Sequence, residues 1–255
     1  MYSNIFDTHS HYDDKQFNAD RSTLLKSVKQ NGVCSIVSCG CDIETTEFNK
    51  QLSDEYDFMY FAAGFHPECL EDADISDLDK IKEYAQYKKC VAIGEIGLDY
   101  HWMSSSKEKQ KEFFTAQIQL AKELDMPVIV HDREAHGDTL DILKETHPSG
   151  VVHCFSGSKE MAKEIIKLGM YIGLNGVVTF KNARKSLEVI KGIPLERLVL
   201  ETDCPYLAPE PMRGRRNDSS LIPFIAQKLA NELDMDTQTL LDITAENAKR
   251  LYNFK

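Results

Sequence analysis

Nowhere in the 255 residues does an uninterrupted apolar run approach the ~20 residues that a helix needs to cross a bilayer. No charged leader with an apolar stretch behind it opens the chain, so neither membrane insertion nor export is expected, and the expected compartment is the cytoplasm. The paired spacing of a structural zinc site is missing as well. Seven cysteines (Cys34, Cys39, Cys41, Cys69, Cys90, Cys154 and Cys204) form an odd set with no small-domain framework, which suits reduced thiols used for packing. Positive charge is scarce: 30 basic against 41 acidic residues leave a formal charge of -11, which excludes a surface that coats nucleic acid broadly. A polyanion would have to be met locally. Low-complexity tracts, linkers and repeats are absent too, so residues 1–255 are expected to form one domain, with 42% hydrophobic residues to fill its core.

What the chain does contain is an alternation. Short apolar segments, "NIFDTH", "CSIVSCG", "MYFAAGFHP", "CVAIGEIG", "PVIVHDR", "GVVHCFSG", "MYIGLNG" and "RLVLETD", recur between longer amphipathic ones. "DRSTLLKSVKQNG" reads as a helix ended by Asn31-Gly32, "SKEKQKEFFTAQIQLAKELDMP" as one stopped by Pro127, and "SKEMAKEIIKLG" as one capped by Ser158 and ended at Gly169. Near-continuous apolar strands suit a parallel sheet covered by helices. Eight strand-helix units at this length predict an α/β fold, a TIM-type (β/α)₈ barrel, with a doubly wound open sheet as the alternative.

The polar residues favour the barrel, because histidines and acids gather at the ends of the apolar runs. His9 and His11 follow the first, His66 the third, His131 the fifth and Asp203 the eighth, while Glu95 and His153 lie in the fourth and sixth. A barrel collects those ends at its carboxyl-terminal mouth. In "IFDTHSHYDD" the strand period also puts Asp7, His9 and His11 on one face. Four imidazoles with Glu95 and Asp203 are too many donors for one tetrahedral ion with an open position, but they suit two divalent ions. The expected arrangement has His9, His11 and Asp203 on one ion, His131 and His153 on the other, and Glu95 bridging both. Two cations acting on one water make hydroxide available at neutral pH, and Asp203 would orient it or take its proton. Mixed nitrogen and oxygen donors suit zinc or manganese, with magnesium as the hard alternative.

The same residues sit in longer motifs. "DTHSH", "GFHP", "GEIGLDY", "VIVHDREAHGDTLDIL", "HCFSGS" and "LETDCPYLAPEPMRGRRN" stand in an order and at a spacing that resemble the TatD family of metal-dependent deoxyribonucleases, within the amidohydrolase superfamily. The likeness runs from Ile5 to Tyr252. It implies a TIM-type barrel with a divalent metal centre on the six residues above, and hydrolysis of phosphodiester bonds in DNA; a small electropositive mouth on an acidic body suits single strands or ends better than a long duplex. It also implies substrate contacts from His66, Arg133 and Arg213, where guanidinium groups can fork onto phosphate oxygens. One departure stands out: family members commonly carry an acidic residue and a proline after the asparagine of the arginine loop, whereas this chain reads Asn217, Asp218, Ser219, Ser220.

Tyr100, Trp102 and Tyr206 are candidates to stack on bases. Because selectivity lies in pocket shape rather than in metal-water chemistry, a carboxylic ester or amide, including the ester of a misacylated tRNA, is the alternative substrate. No protein partner is indicated.

Overall fold

The computed structural model describes residues 2–254. Eight strands follow the apolar segments: β1 (Ile5–Ser10), β2 (Val33–Cys39), β3 (Met59–Ala63), β4 (Cys90–Asp99), β5 (Val128–Arg133), β6 (Gly150–Val152), β7 (Tyr171–Leu174) and β8 (Leu198–Leu200). They pair in chain order, every pair parallel. The ring closes where β1 meets the segment after β8: the His11 N–H donates to the Cys204 carbonyl at 2.8 Å and the Asp203 N–H to the His9 carbonyl at 3.0 Å. This is the expected (β/α)₈ barrel, and the open sheet is excluded.

Helices α1 (Arg21–Gln30), α2 (Ile43–Glu55), α3 (Leu78–Tyr84), α4 (Lys107–Glu123), α5 (His136–Thr146), α6 (Lys159–Lys167), α7 (Arg184–Ile190) and α8 (Ile222–Glu232) each follow a strand, and α9 (Thr237–Leu251) is additional. Local chemistry explains their ends. Asp42 and Thr45 form a reciprocal capping box at α2, while Ser106 and Ser158 accept the Lys109 and Met161 N–H groups at the starts of α4 and α6. Pro127 is not what stops α4: the helix ends earlier, at Leu124, where Asp125 turns left-handed (φ 52°) and the Met126 N–H donates back to Ala121.

Two apolar layers result. The larger packs the helices against the outside of the strands. The smaller, with Phe6, Val37, Ile129, Val151 and Val199, fills the ring, and Ala245, Ala248 and Leu251 of α9 close it from below. The Tyr252 hydroxyl completes that plug with a 2.7 Å hydrogen bond to the Thr8 carbonyl. The barrel is therefore sealed at one end and open at the other. Between β4 and β5 the strands come closer than a side chain permits: a Cβ on Gly97 (φ 145°) would lie 2.0 Å from the His131 carbonyl, so glycine sets the register that pairs Gly97 with His131.

Candidate metal centre

The open end is a cavity of about 780 Å³ whose wall includes His11, His66, Glu95, His131, His153 and Asp203. Glu95, near the middle of β4, is buried and stands at its centre. Its two oxygens face different imidazole pairs. Oε2 lies 3.3 Å from His9 Nε2 and 3.4 Å from His11 Nε2, while Oε1 lies 2.8 Å from His131 Nδ1 and 2.7 Å from His153 Nε2. Asp203 adds Oδ1 at 3.5 Å from His9 Nε2 and 3.4 Å from His11 Nε2. Barrel closure places it there, through the main-chain bond between Asp203 and His9. Asp203 itself is left-handed (φ 55°), a conformation that Asp tolerates better than most residues. All six residues expected as ligands thus converge on one volume.

The ring nitrogens that face away from this volume are engaged by groups the sequence reading did not single out. His11 Nδ1 is 3.3 Å from the Cys39 carbonyl, an acceptor only, so its proton sits there and Nε2 carries a bare lone pair. His131 Nε2 is 3.0 Å from Asp99 Oδ2, at the end of β4, which leaves Nδ1 free in the same way. His9 Nδ1 has the Cys39 thiol at 3.4 Å. Glu201, fully buried, stands 3.5 Å from His153 Nδ1 and is itself held by the Cys154 N–H at 2.7 Å and by Asn175. A Cβ on Gly173 would meet Glu201 Oε2 at 2.5 Å, so glycine leaves room for this carboxylate. With lone pairs and carboxylate oxygens directed at one point, the donor set fits divalent cations.

Imidazoles and carboxylates this close set each other's proton affinity. Burial pushes the Glu95 carboxyl up, but His153, His9 and His66 outweigh it and hold the group well below the usual carboxylate range. Burial likewise acts on Asp203, and hydrogen bonding to His11 and His9 overcomes it and lowers its pKa. Burial pulls His131 down, yet its bonds to Asp99 and Glu95 raise it to about 9, so a cation binding at Nδ1 would displace a proton from it. His66 is lowered, chiefly by burial. Its Nδ1 accepts the Glu68 N–H at 3.1 Å, so the neutral ring carries its proton on Nε2, which lies 3.5 Å from Glu95 Oε1. His66 therefore enters the cavity as a donor.

Arg133 also lines the cavity, its guanidinium 5.6 Å from the ring centroid of Trp102. Arg213 does not: it lines an adjoining groove, 4.4 Å from the Phe180 ring centroid. Arg216 is a structural member of the arginine loop, forked onto Asp20 at 2.8 and 2.7 Å. Trp102 and Tyr206 are exposed at the cavity wall, the Tyr206 hydroxyl donating to Asp14 at 2.7 Å, and Tyr100 is tied to α5 by a 2.6 Å bond to Asp138. Asp7 shares β1 with the histidines but turns to Thr202 and Ser219, joining the strand to the segment after β8. Ser219, where the resemblance leads one to expect proline, supplies what proline lacks: its N–H donates to the Tyr12 hydroxyl at 3.0 Å and its hydroxyl to Asp7 at 2.6 Å. The loop is anchored by hydrogen bonds instead of a ring.

Among the described residues no helix is long and apolar enough to cross a membrane. The family model described as "TatD related DNase" matches residues 6–253. An uncharacterized metal-dependent hydrolase, YabD of Bacillus subtilis (strain 168), is 45% identical over 97% of this chain and 98% of its own length. The 3′-5′ ssDNA/RNA exonuclease TatD of Rahnella sp. (strain Y9602) is 36% identical over 93% of this chain and 94% of its own. Among solved structures, the TatD homologue YJJV of Escherichia coli K12 superposes with a TM-score of 0.91 at 30% identity, over the whole of both chains. Sequence, barrel and mouth agree, and the chain belongs to the TatD family as a metal-dependent hydrolase.

Proposed function

We propose that this hydrolase, acting as one unit across its length, cleaves phosphodiester bonds in DNA, on single strands or at ends, with two divalent ions. The observation that carries the reading is the division of Glu95, one carboxylate oxygen on the His9 and His11 side and the other on the His131 and His153 side. His9, His11 and Asp203 would hold one ion, His131 and His153 the other, with Glu95 between them. Nitrogen-rich donors favour zinc or manganese over magnesium. Such ions would supply Lewis acidity at the phosphoryl oxygen and bring the pKa of a water toward neutrality.

The chain's own residues do the rest. Asp203, a carboxylate at the cavity surface, orients the attacking water and receives its proton. His66 directs its Nε2 proton at a phosphate oxygen, and Arg133, with no acidic partner within ion-pair distance among the described residues, offers its planar fork to another. Arg213 meets the phosphate next along the strand. The cavity walls exclude bulk water and strengthen each of these contacts. The Rahnella relative's name, an exonuclease on single-stranded DNA and RNA, supports the choice of strand and end. Seven free cysteines suit a cytoplasmic protein.

A substrate panel tests this. Protein reconstituted with zinc, manganese or magnesium should hydrolyse single-stranded DNA and bis(p-nitrophenyl) phosphate, and leave carboxylic esters and aminoacyl-tRNA untouched. Turnover of the carboxyl esters alone would move the enzyme to the alternative substrate class.

A further inference from the structure

On a chain of net charge -11, two short segments carry cations without acids between them: residues 180–186, with Lys181, Arg184 and Lys185, and residues 211–217, with Arg213, Arg215 and Arg216. The fold lays the first directly against the second. The Glu210 N–H donates to Thr179 at 2.8 Å, a Cβ on Gly176 would lie 2.0 Å from the Leu207 carbonyl, and Arg213 covers the Phe180 ring. Three hollows adjoin as a result. The metal cavity shares Tyr206 and Leu207 with the groove of the arginine loop, about 410 Å³, and that groove shares Phe180 with a third, about 440 Å³, along α7 and α8.

Half of the cations along this path are unspent. Arg184 pairs with Glu188, Lys191 and Lys228 with Glu232, and Arg216 with Asp20. Lys181, Lys185, Arg213 and Arg215 have no acidic partner within ion-pair distance among the described residues, and all four are exposed. Asp13 and Glu68 also line the cavity, and Asp14 there accepts the Tyr206 hydroxyl at 2.7 Å, which fixes that ring at the start of the path. Those four cations mark a path out of the cavity that attracts a polyanion.

We infer that the grooves around Phe180, Lys181, Arg213 and Arg215 form a track for the backbone of a single strand, gripping the nucleotides that lie beyond the bond at the metal centre. Half-buried Phe180, with the Arg213 guanidinium over it, and exposed Tyr206 offer flat surfaces to unpaired bases. A duplex needs cations spread along a broad face, and this chain concentrates them beside one narrow path. The inference rests on the phosphodiesterase reading for the register of the strand, and its test does not depend on turnover.

Metal-loaded protein is titrated with fluorescein-labelled phosphorothioate oligothymidylates, which keep their charges and resist cleavage, and binding is read by anisotropy. Wild type should bind a dodecamer more tightly than a dinucleotide. In the Lys181→Ala/Arg215→Ala double variant the dodecamer should weaken about tenfold, and the slope of log affinity against log salt should fall by about 1.4, about 0.7 for each lost contact to a single strand. A Lys26→Ala/Lys88→Ala variant removes the same charge from the helix surface and the far end of the barrel and should leave the dodecamer within about twofold. DNA and RNA dodecamers should lose alike, because the track meets phosphates. Equal wild-type affinity for both lengths, an equal loss in the two double variants, or a duplex as sensitive as the single strand would overturn the track. Binding that behaves as expected in a protein that cleaves no nucleic acid would keep the track and remove the phosphodiesterase reading.

Discussion

On three strands the floor of the barrel and its chemistry are two residues apart. Ile129 precedes His131 on β5, Val151 precedes His153 after β6, and Val199 precedes Glu201 after β8. A strand returns to the same face every second residue, so each pair points into the ring one layer apart. The lower layer is apolar and plugged by α9; the upper is imidazole and carboxylate, opening to a cavity. The comparison teaches that one extended geometry serves two purposes, with composition alone deciding which. The floor should govern stability and the mouth should govern turnover.

The largest expected effect lies at the mouth. Glu95→Ala removes the carboxylate that both imidazole pairs share, and activity should fall below about a thousandth of wild type. Metal content, measured by elemental analysis after dialysis, should fall with it. Full turnover in this variant would dissolve the distinction between the layers. At the floor, Leu251→Ala should cost about 2–5 kcal/mol of unfolding free energy by urea titration, with turnover per folded molecule retained well below the transition. A loss of turnover that exceeds the loss of folded protein would show the two layers to be coupled.

Smaller effects sharpen the boundary. Glu201→Gln keeps the shape of a side chain buried beneath His153 but removes its charge, and should weaken metal binding by about 10–100-fold in a competitive chelator assay. The smallest concerns His136, at the rim, 2.8 Å from Asp132, whose hydrogen bond raises the histidine pKa. A group whose folded pKa is raised contributes stability fully below its unfolded value, near 6.5, and loses it as pH climbs through the higher folded value. The stability difference between wild type and His136→Gln should therefore be largest at acidic to neutral pH and fade in alkaline buffer. With the ring over a third exposed, solvent screening limits it to about 0.5 kcal/mol. Thermal melts across that pH range would read it.

How much of this was legible in the chain follows from the same two-layer logic. The eight strands could be read because a parallel strand covered on both faces is a nearly unbroken apolar run, and the six converging donors because four follow those runs and two interrupt them. Asp99 and Glu201 sit inside "GLDY" and "LETD" in plain view, yet nothing in their spacing says what they support. Asp99 meets His131 only through the register between β4 and β5, set by the glycine at 97, and Glu201 meets His153 across β7. Cross-strand partners depend on register, and register is written in close approaches that one sequence does not display. The cations of residues 180–186 were readable as a charge run, but their meaning depends on the arginine loop lying beside them.

Closure of the ring has a consequence for the order in which the protein can come to life. Asp7 and Thr202, 195 positions apart, are bound side chain to main chain beside the very bonds that set Asp203 against His9. During synthesis the first two imidazoles emerge early and must wait for nearly the entire polypeptide before their carboxylate neighbour arrives. A chain that stops short of Asp203 carries the histidines without the carboxylate that the closed ring sets beside them.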